Sequence, residues 1–410
     1  MNVGFVGIGK LGMACAEVMA SKHTVTGYDI YPKHSDKIKI AVNIKDAVVD
    51  QDIVFIAVQT PHDRKYGGTT PSAHLPNTDF DYTIVEKVLT QVNEHAHANQ
   101  LIVLISTVLP GTVRNRLANH ITNARFIYNP YLIAMGSVEW DMVNPEMVII
   151  GTEDGSITGD AKQLIEFYQG LMQNSPRYEV GTWDEAECIK VFYNTFISAK
   201  IGLANMIQDV AIRQGNIDVD VVTNALARST MRIMGPKYMT AGMGDAGPCH
   251  PRDNIALRYM AEKLDLGYDL FDAIMHAREI QAKNLAKFIA MESQVNGKLP
   301  VWIHGKAYKP GVAYLEGSYS LLIGHYLENA FGIMPMYIDP LAEKINPTSV
   351  RGVVLLAHNR RVTYGYAGEA NEQELYCTIA ADSVIIDPWR QYTTPRQDIK
   401  VIHYGNTRQI

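Results

Sequence analysis

The stretch "GMGDAGPCHPRDN", Gly242 to Asn254, gathers three glycines, two aspartates, a histidine, an arginine and one of only four cysteines. Glycines permit positive φ and close approach of the backbone to a ligand, so the stretch reads as a shaped loop rather than a core element. Its thiol, Cys249, has two readings: a reachable nucleophile, or a small apolar filler, since free cysteine is among the most buried residue types. A second chemical signal lies at the start of the chain. "VGFVGIGKLGMACAEVMA" carries Gly7, Gly9 and Gly12 in G-x-G-x-x-G spacing, directly after a strand and opening a helix. The first glycine makes the tight turn, the second admits a pyrophosphate to the backbone, and the third allows close helix packing, with the phosphates facing the helix amino-terminus. Ile8, Lys10 and Leu11 complete that turn. The next strand ends at Asp29, 17 residues after Gly12. A carboxylate there accepts a ribose 2′-hydroxyl and repels a 2′-phosphate, which favours NAD over NADP, although Lys33 and His34 just beyond soften the discrimination.

These residues need elements to hold them. Short apolar runs at 3–8, 24–29, 52–58, 101–106, 125–130 and 147–151 alternate with helical patterns, which implies a parallel sheet with crossover helices. From Trp183 to Arg213 the pattern becomes one long helix with a single glycine, Gly202. A second long helical run, about Tyr268 to Glu292, leads into "LPVWIHG", where an α/β pattern restarts with strands at 332–339, 350–357, 383–388 and 400–405. The fold expected is α/β: an N-terminal Rossmann-like, doubly wound parallel sheet over 1–182, a central all-helical domain with a long helix over 183–296, and a second Rossmann-like α/β domain over 297–410. Two or three domains suit 410 residues.

Bulk composition narrows the partners. With 47% hydrophobic and 20% charged residues and a net charge of -6, the chain reads as soluble, without general attraction to nucleic acid or an anionic membrane. Cys15, Cys188, Cys249 and Cys377 form no CxxC pair and no metal-ligand spacing, which suits a reducing compartment and no metal site. The amino-terminus lacks the basic and apolar regions of a signal peptide, and no run spans a bilayer, so a cytoplasmic location is expected.

A nicotinamide cofactor and a thiol together point to a specific chemistry. Oxidising an alcohol needs a base and a hydride acceptor, whereas carrying an aldehyde on to an acid needs a hydrate or a covalent thiohemiacetal to give up the second hydride. At this point the chain resembles the UDP-glucose/GDP-mannose dehydrogenases over nearly its whole length. The resemblance is carried by "GFVGIGKLG", "VFIAVQTP" (54–61), "STVLPGT" (106–112), "NPYLIAMG" (129–136), "NPEMVIIG" (144–151), "EAECIKVFYNTF" (185–196), "GMGDAGPCHPRDNIAL" (242–257) and "HGKAYKPG" (304–311), in that order.

The resemblance implies oxidation of a sugar C6 alcohol to a carboxylate with two NAD, in a cytoplasmic homodimer serving polysaccharide biosynthesis. Residue by residue, it puts the thiol nucleophile at Cys249 and the activating carboxylate at Asp253. It puts the oxyanion-neutralising pair at Lys190 and Asn194, one turn apart on a helix, and the water-positioning threonine at Thr107. Thr60, Pro61 and Thr107 join the cofactor set. Tyr238, Gly244, Arg232 and Lys309 join Lys190 and Asn194 in the substrate set, Arg232 with a one-residue offset and as a reach into a partner subunit's site. Arg252 stands where the family has lysine, which keeps the charge but not the shape.

The chain also departs from that pattern. Where the family reads "NPEFLAEG", Tyr131 and Met135 replace both glutamates. The family's "RES" motif is absent, its region reading "AYLEGSYS" (313–320). Thioester hydrolysis then falls to Asp253 or another acid such as Glu139, or the reaction stops early, or the sugar differs. Two rivals remain open: a β-hydroxyacid-type dehydrogenase, and a lapsed paralogue that binds NAD or a nucleotide sugar without turnover. The central helix, with apolar Ile197, Ile201, Leu203 and Met206 spread around it, is the expected dimer seam.

Overall fold

The computed structural model describes residues 1–61, 75–76, 78–134, 137–157, 159–235, 240–245, 247, 249–344, 346–359 and 375–406. The chain divides into two compact units, Met1–Lys200 and Ile201–Ile410.

In the first unit, β1 (Asn2–Val6), β2 (Thr24–Tyr28), β3 (Lys39–Ile40), β4 (Ile53–Ile56), β5 (Leu101–Leu104), β6 (Arg125–Tyr128), β7 (Met147–Thr152) and β8 (Arg177–Thr182) form one sheet. Its order is β3-β2-β1-β4-β5-β6-β7-β8. Helices α1 (Gly12–Met19), α2 (Thr83–Asn93), α3 (Val138–Val143) and α4 (Gly159–Gln169) belong to the same unit. A parallel sheet must be covered on both faces, and period-2 alternation supplies both. Phe5, Ile53, Phe55, Leu101 and Val103 enter one core, while Val6, Val54, Ile56, Ile102 and Leu104 enter the other. Reversal of strand order between β1 and β4 makes the switch point at which such sheets bind ligands beyond their carboxyl ends.

Two features differ from the sequence expectation. β7 pairs with β6 in the antiparallel sense, through Tyr128 and Gly151, so β7 and β8 run against the first six strands. β8, "RYEVGT", went unseen because an edge strand keeps charged residues and lacks a continuous apolar run.

Helix α5 (Trp183–Gln214) runs out of the first unit, and the second contains α6 (Val219–Ala227), α7 (Cys249–Lys263), α8 (Leu270–Val295) and α9 (Tyr319–Phe331). Its sheet, all parallel, joins β9 (Val301–His304), β10 (Met336–Ile338), β12 (Val353–Leu356), β14 (Ser383–Asp387) and β15 (Ile399–His403) in the order β10-β9-β12-β14-β15. A two-stranded pair, β11 (Ser349–Val350) with β13 (Thr378–Ile379), stands apart and takes Val350 from the run expected as one strand over 350–357. The α8 residues Ala282, Leu285, Ala286 and Ile289 are buried with Val301, Ile303, Val353 and Leu355 of this sheet. Helix α8 begins at Asp269, whose carboxylate accepts the amides of Phe271 and Asp272 at 2.9 and 3.1 Å.

On α5, Ile197, Ile201 and Leu203 are exposed as expected, but Met206 is not. It is buried against Ala261 and Leu266 within the second unit, because a helix with apolar residues on several sides can give one of them to its own chain. Among the described residues, no helix is long and apolar enough to cross a membrane.

Candidate active site

The glycine turn sits at the switch point. Gly7 adopts φ +96°, and its amide donates to the Tyr28 carbonyl at 2.8 Å. A Cβ on Gly12 would lie 2.0 Å from the Gly7 oxygen, so the third glycine is required for helix and turn to touch. At Gly9 a Cβ would meet nothing within 4 Å: the turn opens onto free space there. Leu11 takes the N-cap position of α1 without a side-chain cap, so the first amides of α1 have no side-chain acceptor from that residue. Lys10 and Leu11 are exposed, whereas Ile8 is wholly buried and has only its backbone to offer a ligand. Asp29, half-buried at the end of β2, accepts the Tyr31 amide at 3.0 Å.

Neighbouring loops at the carboxyl edge are laced together. The Thr60 hydroxyl donates to the Thr107 carbonyl at 2.9 Å, and the Ser106 hydroxyl to the Val58 carbonyl at 2.6 Å. The Pro61 carbonyl accepts the Asp81 amide at 3.0 Å. Thr60, Pro61 and Thr107 therefore belong to one connected rim.

Helix α5 holds two of these loops. Lys190 Nζ donates to the Tyr131 carbonyl at 2.6 Å, in the loop that follows β6, and burial lowers its pKa from the ordinary lysine value. Asn194 follows one turn later and is exposed. Glu187, one turn before Lys190, accepts the amides of Gly111 and Val113 at 2.5 and 2.7 Å, and Asp184 pairs with Arg114 at 2.8 Å. Glu187 was not among the residues singled out from the sequence. Its signal was there: a carboxylate among Trp183, Ala186 and Ile189, where a helix otherwise turns an apolar face to the sheet.

Tyr131, standing where the family pattern has glutamate, is no base. Its hydroxyl shares a 2.8 Å hydrogen bond with Tyr168, which donates to Asn129 Oδ1 at 2.5 Å, and burial holds the Tyr131 phenol well above its ordinary pKa. Met135 lies outside the described residues. Glu139 is exposed on α3.

In the second unit the stretch 242–254 departs from the expected loop. Cys249 is the first residue of α7, so the glycine-rich loop ends before it and the thiol's backbone is helical. Pro251 falls in the first turn of α7, where a missing amide proton leaves no helix bond unmade. Asp253, one turn beyond Cys249, is exposed. The glycines approach protein rings: a Cβ on Gly242 would lie 2.3 Å from the Trp389 ring, and on Gly244 2.2 Å from that of Tyr319. Asp245, next to Gly244, forms an ion pair with Arg278. Arg232 is exposed, and Lys309 Nζ lies 5.3 Å from the centre of the Tyr308 ring. Tyr238 lies outside the described residues. Lys190 and Cys249 belong to different units.

Residues 32–172 match the NAD binding domain of the UDP-glucose/GDP-mannose dehydrogenase family, and residues 184–279 match its central domain. The chain belongs to the UDP-glucose/GDP-mannose dehydrogenase family. It is 24% identical to a GDP-mannose 6-dehydrogenase of Pseudomonas putida, over 98% of this chain and 90% of that one. It is 25% identical to a UDP-glucose 6-dehydrogenase of Rickettsia conorii, over 80% of this chain and 78% of that one. Its fold is that of GDP-mannose dehydrogenase from Pseudomonas aeruginosa, solved as a ternary complex, with TM-score 0.75 and 20% identity over 98% and 99% of the two chains.

As a member of this family the chain is an NAD-binding oxidoreductase of the nucleotide-sugar dehydrogenase class. The turn fits that cofactor: free space at Gly9, amides at the start of α1 for a pyrophosphate, and a partly exposed carboxylate at Asp29 for a ribose. The matched NAD-binding segment begins at residue 32, beyond the glycine turn, so the turn's assignment rests on its own geometry.

Proposed function

We propose that this dehydrogenase oxidises the C6 alcohol of a UDP-glucose-like nucleotide sugar to the uronic acid, through an aldehyde and a thiohemiacetal and thioester on Cys249. Lys190 carries the reading: a half-buried amine on α5, held at 2.6 Å by a backbone carbonyl, which carries no formal charge of its own, can serve an incoming oxyanion. Bound NAD supplies the hydride acceptor for both oxidations.

The rest follows from this chain's residues. Asp253 takes the alcohol proton as the first hydride leaves. Cys249, the first residue of α7, adds its sulfur to the aldehyde carbon, and Lys190 with Asn194 neutralises the oxyanion. Loss of the second hydride leaves a thioester, and water oriented by Thr107 adds to it, releasing the acid and the thiol. Tyr238, Gly244, Arg232 and Lys309 contact the substrate. The buried, hydrogen-bonded phenol of Tyr131 leaves Asp253 or Glu139 to assist hydrolysis, so deacylation is the slow step.

A homodimer is part of this reading. Phe192, Phe196, Ile197, Ile201 and Leu203 are 42–56% exposed around α5, large apolar side chains that a second copy would cover. Light scattering should give about twice the 45.6 kDa chain mass; a monomer at micromolar concentration would contradict it.

The deciding experiment is a screen of nucleotide sugars with NAD, read by NADH yield per substrate and product mass. Two NADH and an acid support the reading. One NADH with an aldehyde product favours a two-electron dehydrogenase, and none favours a binding protein. Cys249→Ser should retain NAD binding but form acid about a thousandfold or more slower, because an unactivated hydroxyl adds slowly. The unsubstituted protein, quenched in acid during turnover, should carry the sugar-nucleotide mass on Cys249. Normal acid production by the serine variant would remove Cys249 from the mechanism.

A further inference from the structure

The segment 106–113, which contains Thr107, is a non-regular stretch whose amides find few backbone partners. The Leu109 amide reaches the Tyr82 hydroxyl at 3.3 Å, the Thr112 amide closes on the Leu109 carbonyl at 3.1 Å, and those of Gly111 and Val113 both end on Glu187. Gly111 takes φ +87°, a conformation that glycine adopts without steric cost. Glu187 is itself fully buried, and it sits on the same helix as Lys190, one turn away. A carboxylate is suited to this task, since each oxygen can accept one amide proton, whereas an amide side chain offers one acceptor and one donor.

We propose that Glu187 is the positioning residue of the Thr107 segment: its two carboxylate oxygens, bound to the Gly111 and Val113 amides, set that segment in register with α5 and thereby with Lys190. Thr107 and Lys190 are then located by one helix turn instead of by two independent loops. The inference rests on the proposed roles of those two residues, but the contact itself does not.

Proton linkage gives the proposal a signature. Burial pushes the Glu187 carboxyl up to about 7, with the two amides and Arg114 opposing that shift and Asp184 reinforcing it. Tyr128 on β6 and Cys188 on α5 also feel its charge. Opening the segment returns Glu187 to water, where a carboxyl is ionised well below neutrality, so closing takes up a proton. The closed segment is therefore favoured as pH falls through about 7 and loosens as pH rises through it.

Amide hydrogen exchange, read by mass spectrometry on peptides spanning 106–117 in the cofactor-free full chain, tests this without any substrate. After correction for intrinsic rates, exchange in this segment should slow as pH falls from about 8 to about 6, while peptides from β1 and β5 stay unchanged. Glu187→Gln should exchange there about tenfold faster at neutral pH, through loss of one buried acceptor, and should lose the pH dependence. Its apparent KM for NAD should change little while kcat falls, and Glu187→Asp should recover part of kcat. Wild-type protection that is flat with pH, or a folded Gln variant protected like wild type, overturns the proposal. If the Gln variant does not fold, the wild-type pH profile decides alone. Failure of the nucleotide-sugar screen would leave the exchange result standing.

Discussion

The turn after β1 and the turn after β9 follow the same course. Gly7 with φ +96° donates its amide to Tyr28, the last residue of β2, at 2.8 Å; Gly305 with φ +106° donates to Ile338, the last residue of β10, also at 2.8 Å. An aspartate comes next in both, Asp29 and Asp339. The difference lies in what each acid and each helix start is already bound to. Asp29 is half-buried and accepts the Tyr31 amide. Asp339 is 3% exposed and accepts the amides of Lys306, Ala307, Leu341 and Ala342 at 2.9 to 3.3 Å. The N-cap of α1 is Leu11, with no side-chain cap, whereas Ser318 caps α9 by accepting the Leu321 amide at 3.4 Å. One strand–turn–helix–strand–acid unit commits its acid to a single amide and leaves its helix start without a side-chain cap, and the other has turned the same groups inward to hold its own loop. The shared topology is not what makes a nucleotide site; unspent hydrogen-bonding capacity is.

The sharpest test separates the two glycine turns. Gly12→Val places carbon within 2.0 Å of the Gly7 oxygen, so NADH affinity, measured by nucleotide fluorescence, should fall about a hundredfold or more, ~2.7 kcal/mol. Gly305→Ala meets the His358 ring at 2.7 Å and should lower the melting temperature while sparing NADH affinity. Equal loss of affinity from both would erase the distinction.

The two acids should respond in opposite ways. Asp339→Asn takes the acceptor from two of the four amides and should lower stability by about 2 kcal/mol in chemical denaturation, with the cofactor preference unaltered. Asp29→Ala should leave stability within about 1 kcal/mol yet cost much of the preference for NAD over NADP, roughly tenfold in relative kcat/KM. Equal use of both cofactors by the unsubstituted chain would take the ribose role from Asp29.

The helix starts give the smallest effects. Ser318→Ala should destabilise by about 1 kcal/mol, the usual worth of an N-cap, without touching NADH binding. Leu11→Asp puts a carboxylate where the pyrophosphate is to bind, and should stabilise α1 slightly while weakening NADH a few-fold.

Much of the first unit is legible in the sequence because its signals are local. The G-x-G-x-x-G spacing, the alternating runs of β1, β4 and β5, and the long period of α5 each depend on residues a few positions apart, and the structure keeps them. Lys190 stands among apolar neighbours on α5, and it is half-buried there. The glycines of 242–247 read as a loop that reaches Cys249, yet the helix starts at that residue, and Pro251 in its first turn breaks nothing. Edge strand β8 and the reversal of β7 carry no local mark, because strand direction is settled by pairing.

The sequence by itself determined the order of elements, the glycine turn, the family and the residues to suspect, since these rest on backbone propensity, periodicity and short spacing. Tertiary structure alone decided which of those groups remain available. It spent Asp339 on four amides, set Gly242 and Gly244 against the rings of Trp389 and Tyr319, hid Met206, and set Glu187 on the Thr107 segment 74 to 76 residues away. Hydrogen bonds and close contacts of that range are fixed only when strands and helices pack, because a buried polar group takes whatever partner the packed chain brings to it.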